Sequence, residues 1–140
     1  MSQDRPGKAA VIAAAALDRK AQNLVGLDAR GVSSFADTFV IVTGTSERHV
    51  RAIADAVLEA TRAEGATPLG KEGYGEGRWI LLDYGDVIVH IFQADVRAHY
   101  DLERLWSEAP KIDWGPLGIS DSEAGNALEG RGVRSETVSQ

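Results

Sequence analysis

The chain has 140 residues, 44% of them hydrophobic and 26% charged, with 15 Lys/Arg against 21 Asp/Glu for a net charge of −6. This is the composition of one folded domain, and no stretch approaches the roughly 18 consecutive apolar residues of a membrane span. Cysteine is absent, which excludes disulfides, thiol nucleophiles and cysteine zinc sites, and the longest basic run is Arg19-Lys20, short of the basic stripe of a phosphate-backbone binder.

Residues 1–7 read as a flexible N-terminus. The opening MSQDRPGK leads into no secretory h-region, because Asp18, Arg19 and Lys20 interrupt the alanine-rich run that follows, so a cytoplasmic location is expected. Ala9, Ile12, Ala13, Ala16, Leu17, Ala21 and Leu24 recur at helical spacing, which predicts a helix over 8–21 whose small buried stripe lets it lie close to a sheet. Residues 24–27 predict a short strand. Residues 38–43 (TFVIVT) are almost all β-branched or aromatic, and a continuous run of that kind implies burial on both faces.

Gly44-Thr45-Ser46 closes that strand, with Ser46 as the N-cap of the next helix and Glu47 well placed against its dipole. Val50, Ile53, Ala54, Val57 and Leu58 form its apolar stripe, and Gly65 is its C′ residue. Gly70, Gly73, Gly75 and Gly77 mark a loop. It feeds a hairpin of 78–82 and 87–92 around a turn at 83–86. A two-residue turn at Tyr84-Gly85 would set Leu81 opposite Ile88 and Trp79 opposite His90; a bulge at Gly85 would shift the pairing by one. Asp95 reads as the cap of a third helix, with the stripe Ala98, Leu102, Leu105, Trp106 and Ala109, stopped by Pro110. The aperiodic, Gly/Ser/Glu-rich residues 115–140 read as a disordered tail. The whole is a single α/β domain over 8–114, a mixed β-sheet with helices packed on it; strand order is not legible in the pattern.

Few positions could carry chemistry. The Gly44-Thr45-Ser46 junction could cradle a phosphate, but it lacks the lysine and spacing of a P-loop. The ordinary alternative is a tight turn and a helix cap. Asp83 and Asp86 flank a hairpin tip three residues apart, a poor arrangement for two metal ligands on one face. The glycines of 70–77 open a strand, whereas a dinucleotide fingerprint opens a helix. His49, His90 and His99 form no HxxxH pair, and a zinc site would need all three to converge. An enzyme related to nucleotidyltransferases, centred on Ser46, Asp83 and Asp86, is therefore the alternative function. A direct RNA-binding module is opposed by the acidic balance, which suits a basic protein partner better.

The strings DTFVIVTGTSERHVRAIAD (37–55), KEG (71–73), WILLDYGDVIVHIF (79–92) and YDLERLW (100–106), preceded by LDARGVSS (27–34), resemble in that order the Iojap/ribosomal silencing factor family. The resemblance spans most of residues 8–113. It implies a nucleotidyltransferase-like fold without catalytic residues, so no catalysis and no cofactor or metal. It also implies binding to the large ribosomal subunit, through its fourteenth large-subunit protein, at the face that meets the small subunit. Subunit joining would be blocked sterically and translation repressed under nutrient limitation. A role in large-subunit biogenesis and a homodimer are implied too, with no DNA and no membrane as partner. The binding surface is expected on the hairpin and third helix, around Trp79, His90, Phe92, Tyr100 and Leu105, since aromatic side chains in the matching strings are the natural anchors of an interface. Ordinary core packing is the competing role for each of them.

Overall fold

The computed structural model describes residues 7–31, 33–34, 36–100 and 109–114, the side chains of 98–100 excepted. In chain order the elements are α1 (Lys8–Asp18), β1 (Gln22–Asp28), β2 (Thr38–Gly44), α2 (Glu47–Ala63), β3 (Gly70–Glu72), β4 (Trp79–Asp83), β5 (Val87–Gln93) and α3 (Ala94–Tyr100). The expected third-helix positions Leu102, Leu105 and Trp106, residues 1–6 and the tail 115–140 lie outside the described residues. No described helix is long and apolar enough to cross a membrane.

α1 ends three residues earlier than its periodicity predicts. Lys20 takes the left-handed conformation (φ 65), its N–H bonding Leu17 O at 2.9 Å while Ala21 N–H returns to Ala16 O at 3.0 Å. Those two bonds satisfy carbonyls the helix end leaves open. α2 closes in the same way at Gly65 (φ 86), with Gly65 N–H on Arg62 O and Ala66 N–H on Thr61 O, both at 2.9 Å. At its other end the Ser46 side chain accepts from His49 N–H, as expected of the N-cap.

The five strands lie in the order β1-β2-β5-β4-β3. β2 runs parallel to β5, while the β1–β2, β4–β5 and β3–β4 pairs are antiparallel. The sheet is thus mixed, with the two most apolar strands at its centre. One face carries Val40, Val42, Ile80, Leu82, Val89 and Ile91, packed under Ile12, Ala13 and Ala16 of α1 and Val50, Ile53 and Val57 of α2. Burying each large aliphatic side chain there contributes about 1.5–3 kcal/mol. The other face carries Phe39, Ile41, Ile88 and Phe92, joined by Leu27 and Val96. Alternation along each strand separates the two sets.

Three sequence expectations are corrected. The glycine stretch is not loop throughout: Gly70–Glu72 pairs with β4, Lys71 opposite Leu82. The hairpin register also differs from both anticipated forms, since Trp79 lies opposite Phe92 and Leu81 opposite His90. The two-residue turn is Gly85-Asp86. Tyr84 N–H bonds Val87 O at 2.9 Å, the Asp83 carboxylate accepts from Gly85 N–H at 2.8 Å, and Gly85 takes φ 87. An even shift of two residues leaves each side chain on the face that the Tyr84-Gly85 turn would have given it. Asp95 is likewise not a cap. It lies in the first turn of α3, which begins at Ala94.

The outer edge of β1 is covered. Asp28 N–H bonds Pro110 O at 2.7 Å, Ile112 N–H bonds Gly26 O at 2.8 Å, and Leu27 bridges Lys111. Trp114 then turns inward and is only 4% exposed.

Candidate protein-interaction face

The sheet face opposite α1 and α2 gathers an aromatic group. Trp79 opens β4 and lies directly across from Phe92 on β5, their ring centroids 4.8 Å apart. His90, two residues back on β5, stacks parallel to Phe92 at 5.8 Å and meets Phe39 of β2 edge-on at 6.1 Å. The Trp79 indole Nε1–H donates to His90 Nδ1 at 3.1 Å. Burial pushes the His90 imidazole down to about 4, because the charged form would lose its hydration. The neutral ring is the form whose Nδ1 can accept.

Of the five residues expected to form the binding surface, the structure brings Trp79, His90 and Phe92 together. Trp79 is half-buried, His90 is 5% exposed and Phe92 is fully enclosed, so at this surface Trp79 offers area while the other two support it. Tyr100 ends α3 on the backbone, its side chain undescribed, and Leu105 lies outside the described residues. Half-buried Leu81 and Val25, and buried Phe39, belong to the same face. The β-branched run of 38–43 was the signal for Phe39; nothing local tied it to Trp79. α3 is held against the sheet by Arg97, whose Nη1 donates to Asn23 O and Thr43 Oγ1, both at 2.7 Å.

The positions weighed for catalysis have structural partners. Ser46 Oγ accepts from His49 N–H at 3.0 Å. His49 Nδ1 accepts from Thr45 N–H at 2.9 Å, leaving Nε2 to donate to Arg19 O at 2.7 Å. The imidazole so ties the end of α1 to the β2–α2 junction. A Cβ at Gly44 would lie 2.8 Å from Val50 Cγ2, so that glycine permits close packing of strand on helix. Asp83 shapes the hairpin turn, and Asp86 pairs with Lys8 at 2.8 Å. The glycine loop lies over α2, with Tyr74 Oη on the Asp55 carboxylate at 2.9 Å and Arg51 Nη1 on Gly75 O at 3.2 Å. Among the described residues no three His, Asp or Glu side chains gather as a metal site would require.

Comparison with known proteins assigns the family. The sequence profile described as "Ribosomal silencing factor during starvation" matches residues 2–137. The chain belongs to that family. It is 44% identical over 96 residues to the ribosomal silencing factor RsfS of Halalkalibacterium halodurans, covering 69% of this chain and 82% of the relative. With the RsfS of Bacillus subtilis it shares 42% identity over 103 residues, 74% of this chain and 87% of the relative. A crystal structure of a protein from Bacillus halodurans superposes with a TM-score of 0.66 at 40% identity, covering 74% of this chain and 93% of that one. The silencing-factor resemblance read from the ordered strings is therefore borne out, as is the single α/β domain with a mixed sheet. The family profile also runs past Trp114, beyond the strings on which that resemblance rested.

Proposed function

We propose that this chain represses translation by binding the large ribosomal subunit, through its fourteenth large-subunit protein, and blocking the approach of the small subunit sterically. The single observation that carries the reading is membership of the silencing-factor family. The aromatic face supports the location. Trp79 and Leu81 are both half-buried there, and an accessible tryptophan seated on a rigid aromatic base is the kind of anchor that interfaces use. We extend the surface to Tyr100 and Leu105. Net charge −6 favours encounter with a basic ribosomal protein. The action is non-enzymatic, needs no cofactor, belongs to the cytoplasm under nutrient limitation and extends to large-subunit biogenesis; the free protein is a homodimer.

The test is sedimentation with purified large subunits, small subunits and whole ribosomes, with the free protein run alone to give its assembly state. The chain should travel with large subunits and not with small ones. If it stays at the top of the gradient when large subunits are saturating, the reading fails.

A further inference from the structure

His90 stands out on its own face of the sheet. Its strand neighbours there are Ile88 and Phe92, and the adjacent strands contribute Phe39, Ile41 and Leu81. Placing an imidazole among them costs desolvation that a leucine or phenylalanine would avoid. What it supplies and they cannot is a hydrogen-bond acceptor. The Trp79 indole has one donor and no acceptor, and that donor points at His90 Nδ1, 3.1 Å away.

The contacts divide the work of holding the indole. Phe92 sits 4.8 Å from it at an interplanar angle of 32°, a contact that tolerates sliding and in-plane rotation. A hydrogen bond is directional and fixes which edge of the ring turns inward. The acceptor is itself buried, stacked on Phe92 and edge-on to Phe39. We propose that His90 is a positioning residue, which sets the rotamer of Trp79 so that the partner meets an indole already oriented for docking. His90 then acts through Trp79 and need not touch the partner. Orienting a side chain before association lowers the ordering cost of binding. This inference rests on the reading of the aromatic face as the docking surface.

The experiment uses the full chain and purified large ribosomal subunits. His90→Leu removes the acceptor but keeps an apolar filling, whereas His90→Asn places an amide oxygen near the position of Nδ1. The Trp79 indole N–H resonance, identified as the one missing from Trp79→Phe, reports the bond directly. His90→Leu should move that resonance and weaken subunit binding by about three- to tenfold, the size of one neutral hydrogen bond. His90→Asn should return both toward wild type. In a Trp79→Ala background, His90→Leu should add no further loss. Trp79→Phe keeps a ring against Phe92 and removes the donor while leaving buried His90 and Phe92 in place, so it should weaken binding even where His90→Leu proves unfolded. An unmoved resonance, wild-type binding by His90→Leu or by Trp79→Phe, or equal losses with and without the Trp79 indole would overturn the inference while leaving the docking surface in place. Wild-type binding by Trp79→Ala would instead remove Trp79 as an anchor of the docking surface, and this inference with it.

Discussion

The indole of Trp114 lies on the backbone of Gly26: a Cβ at Gly26 would come within 2.9 Å of Trp114 Cη2 and 3.2 Å of Ile112 Cβ. Gly26 O also accepts from Ile112 N–H at 2.8 Å. The last described segment is thereby both hydrogen-bonded to the edge of β1 and locked by a large side chain over a position where only glycine fits.

The first prediction follows from that contact. Gly26→Val forces Trp114 from its seat and should cost about 1–3 kcal/mol, the usual range for overpacking. Trp114→Ala should cost about 3–5 kcal/mol as a large aromatic truncation. Truncation after Trp114, which removes residues 115–140, should shift the denaturation midpoint little. Truncation before Pro110 should lower it strongly. Equal stability of the two truncations would show that the 109–114 segment does not hold the fold.

The aromatic face can be separated into anchor and support. Trp79 is half-buried, so Trp79→Ala should weaken large-subunit binding tenfold or more while shifting the melt modestly. Phe92 is fully enclosed, so Phe92→Ala should destabilise the fold by about 3–5 kcal/mol, with binding lost in step. Tyr100→Ala tests the extension of the surface onto α3 by the same pair of measurements. Unchanged binding in both Trp79→Ala and Tyr100→Ala would move the docking surface elsewhere.

Asp83 and Asp86 are read as turn residues, and replacing both by Asn should leave translational repression intact. The amide oxygen that takes the place of the Asp83 carboxylate can still accept from Gly85 N–H. The loss is confined to the exposed Lys8–Asp86 pair, where 29% and 51% of the two side chains remain accessible, and such a pair contributes about 0–1 kcal/mol. A translation assay with melts and subunit sedimentation alongside is the check. Repression lost by a folded, subunit-binding double variant would restore the enzymatic alternative.

Stability should depend on pH through His90. Its folded value is about 4, against about 6.5 for an exposed histidine. Between those values the unfolded chain binds the extra proton, so stability is complete above pH ~6.5 and falls as pH drops toward 4, by about 3 kcal/mol in all. Asp28 acts in a lower window. The Arg30 side chain, then its backbone N–H, hold the carboxyl at about 2, so its contribution is present above the usual carboxylate range and fades as pH falls through 2. Denaturant midpoints of wild type and His90→Leu between pH 7 and pH 4.5 isolate the histidine part. Parallel curves for the two proteins would exclude it.

What the sequence determined by itself is what depends on neighbours along the chain. The α2 stripe of Val50, Ile53, Ala54 and Val57, the Ser46 cap, the Gly65 terminus and the alternation that puts Ile80, Leu82, Val89 and Ile91 on one face all arise within a few residues, where spacing dictates direction. The ordered strings that mark the family were legible for the same reason. Tertiary structure decided the rest. Gly70–Glu72 is too short to announce a strand and holds no apolar or β-branched residue, and it becomes one because β4 supplies its partner. The hairpin slides by two residues because the Asp83 carboxylate and the left-handed Gly85 place the turn at Gly85-Asp86, a choice to which face alternation is blind. The meeting of Trp79, His90 and Phe39 requires β2, β5 and β4 side by side, and β2 and β5 become parallel neighbours only after the chain has passed through α2, β3 and β4. Periodicity records which way a side chain points, but which side chains meet depends on contacts between residues far apart in sequence, and their free energy exists only once the sheet has assembled.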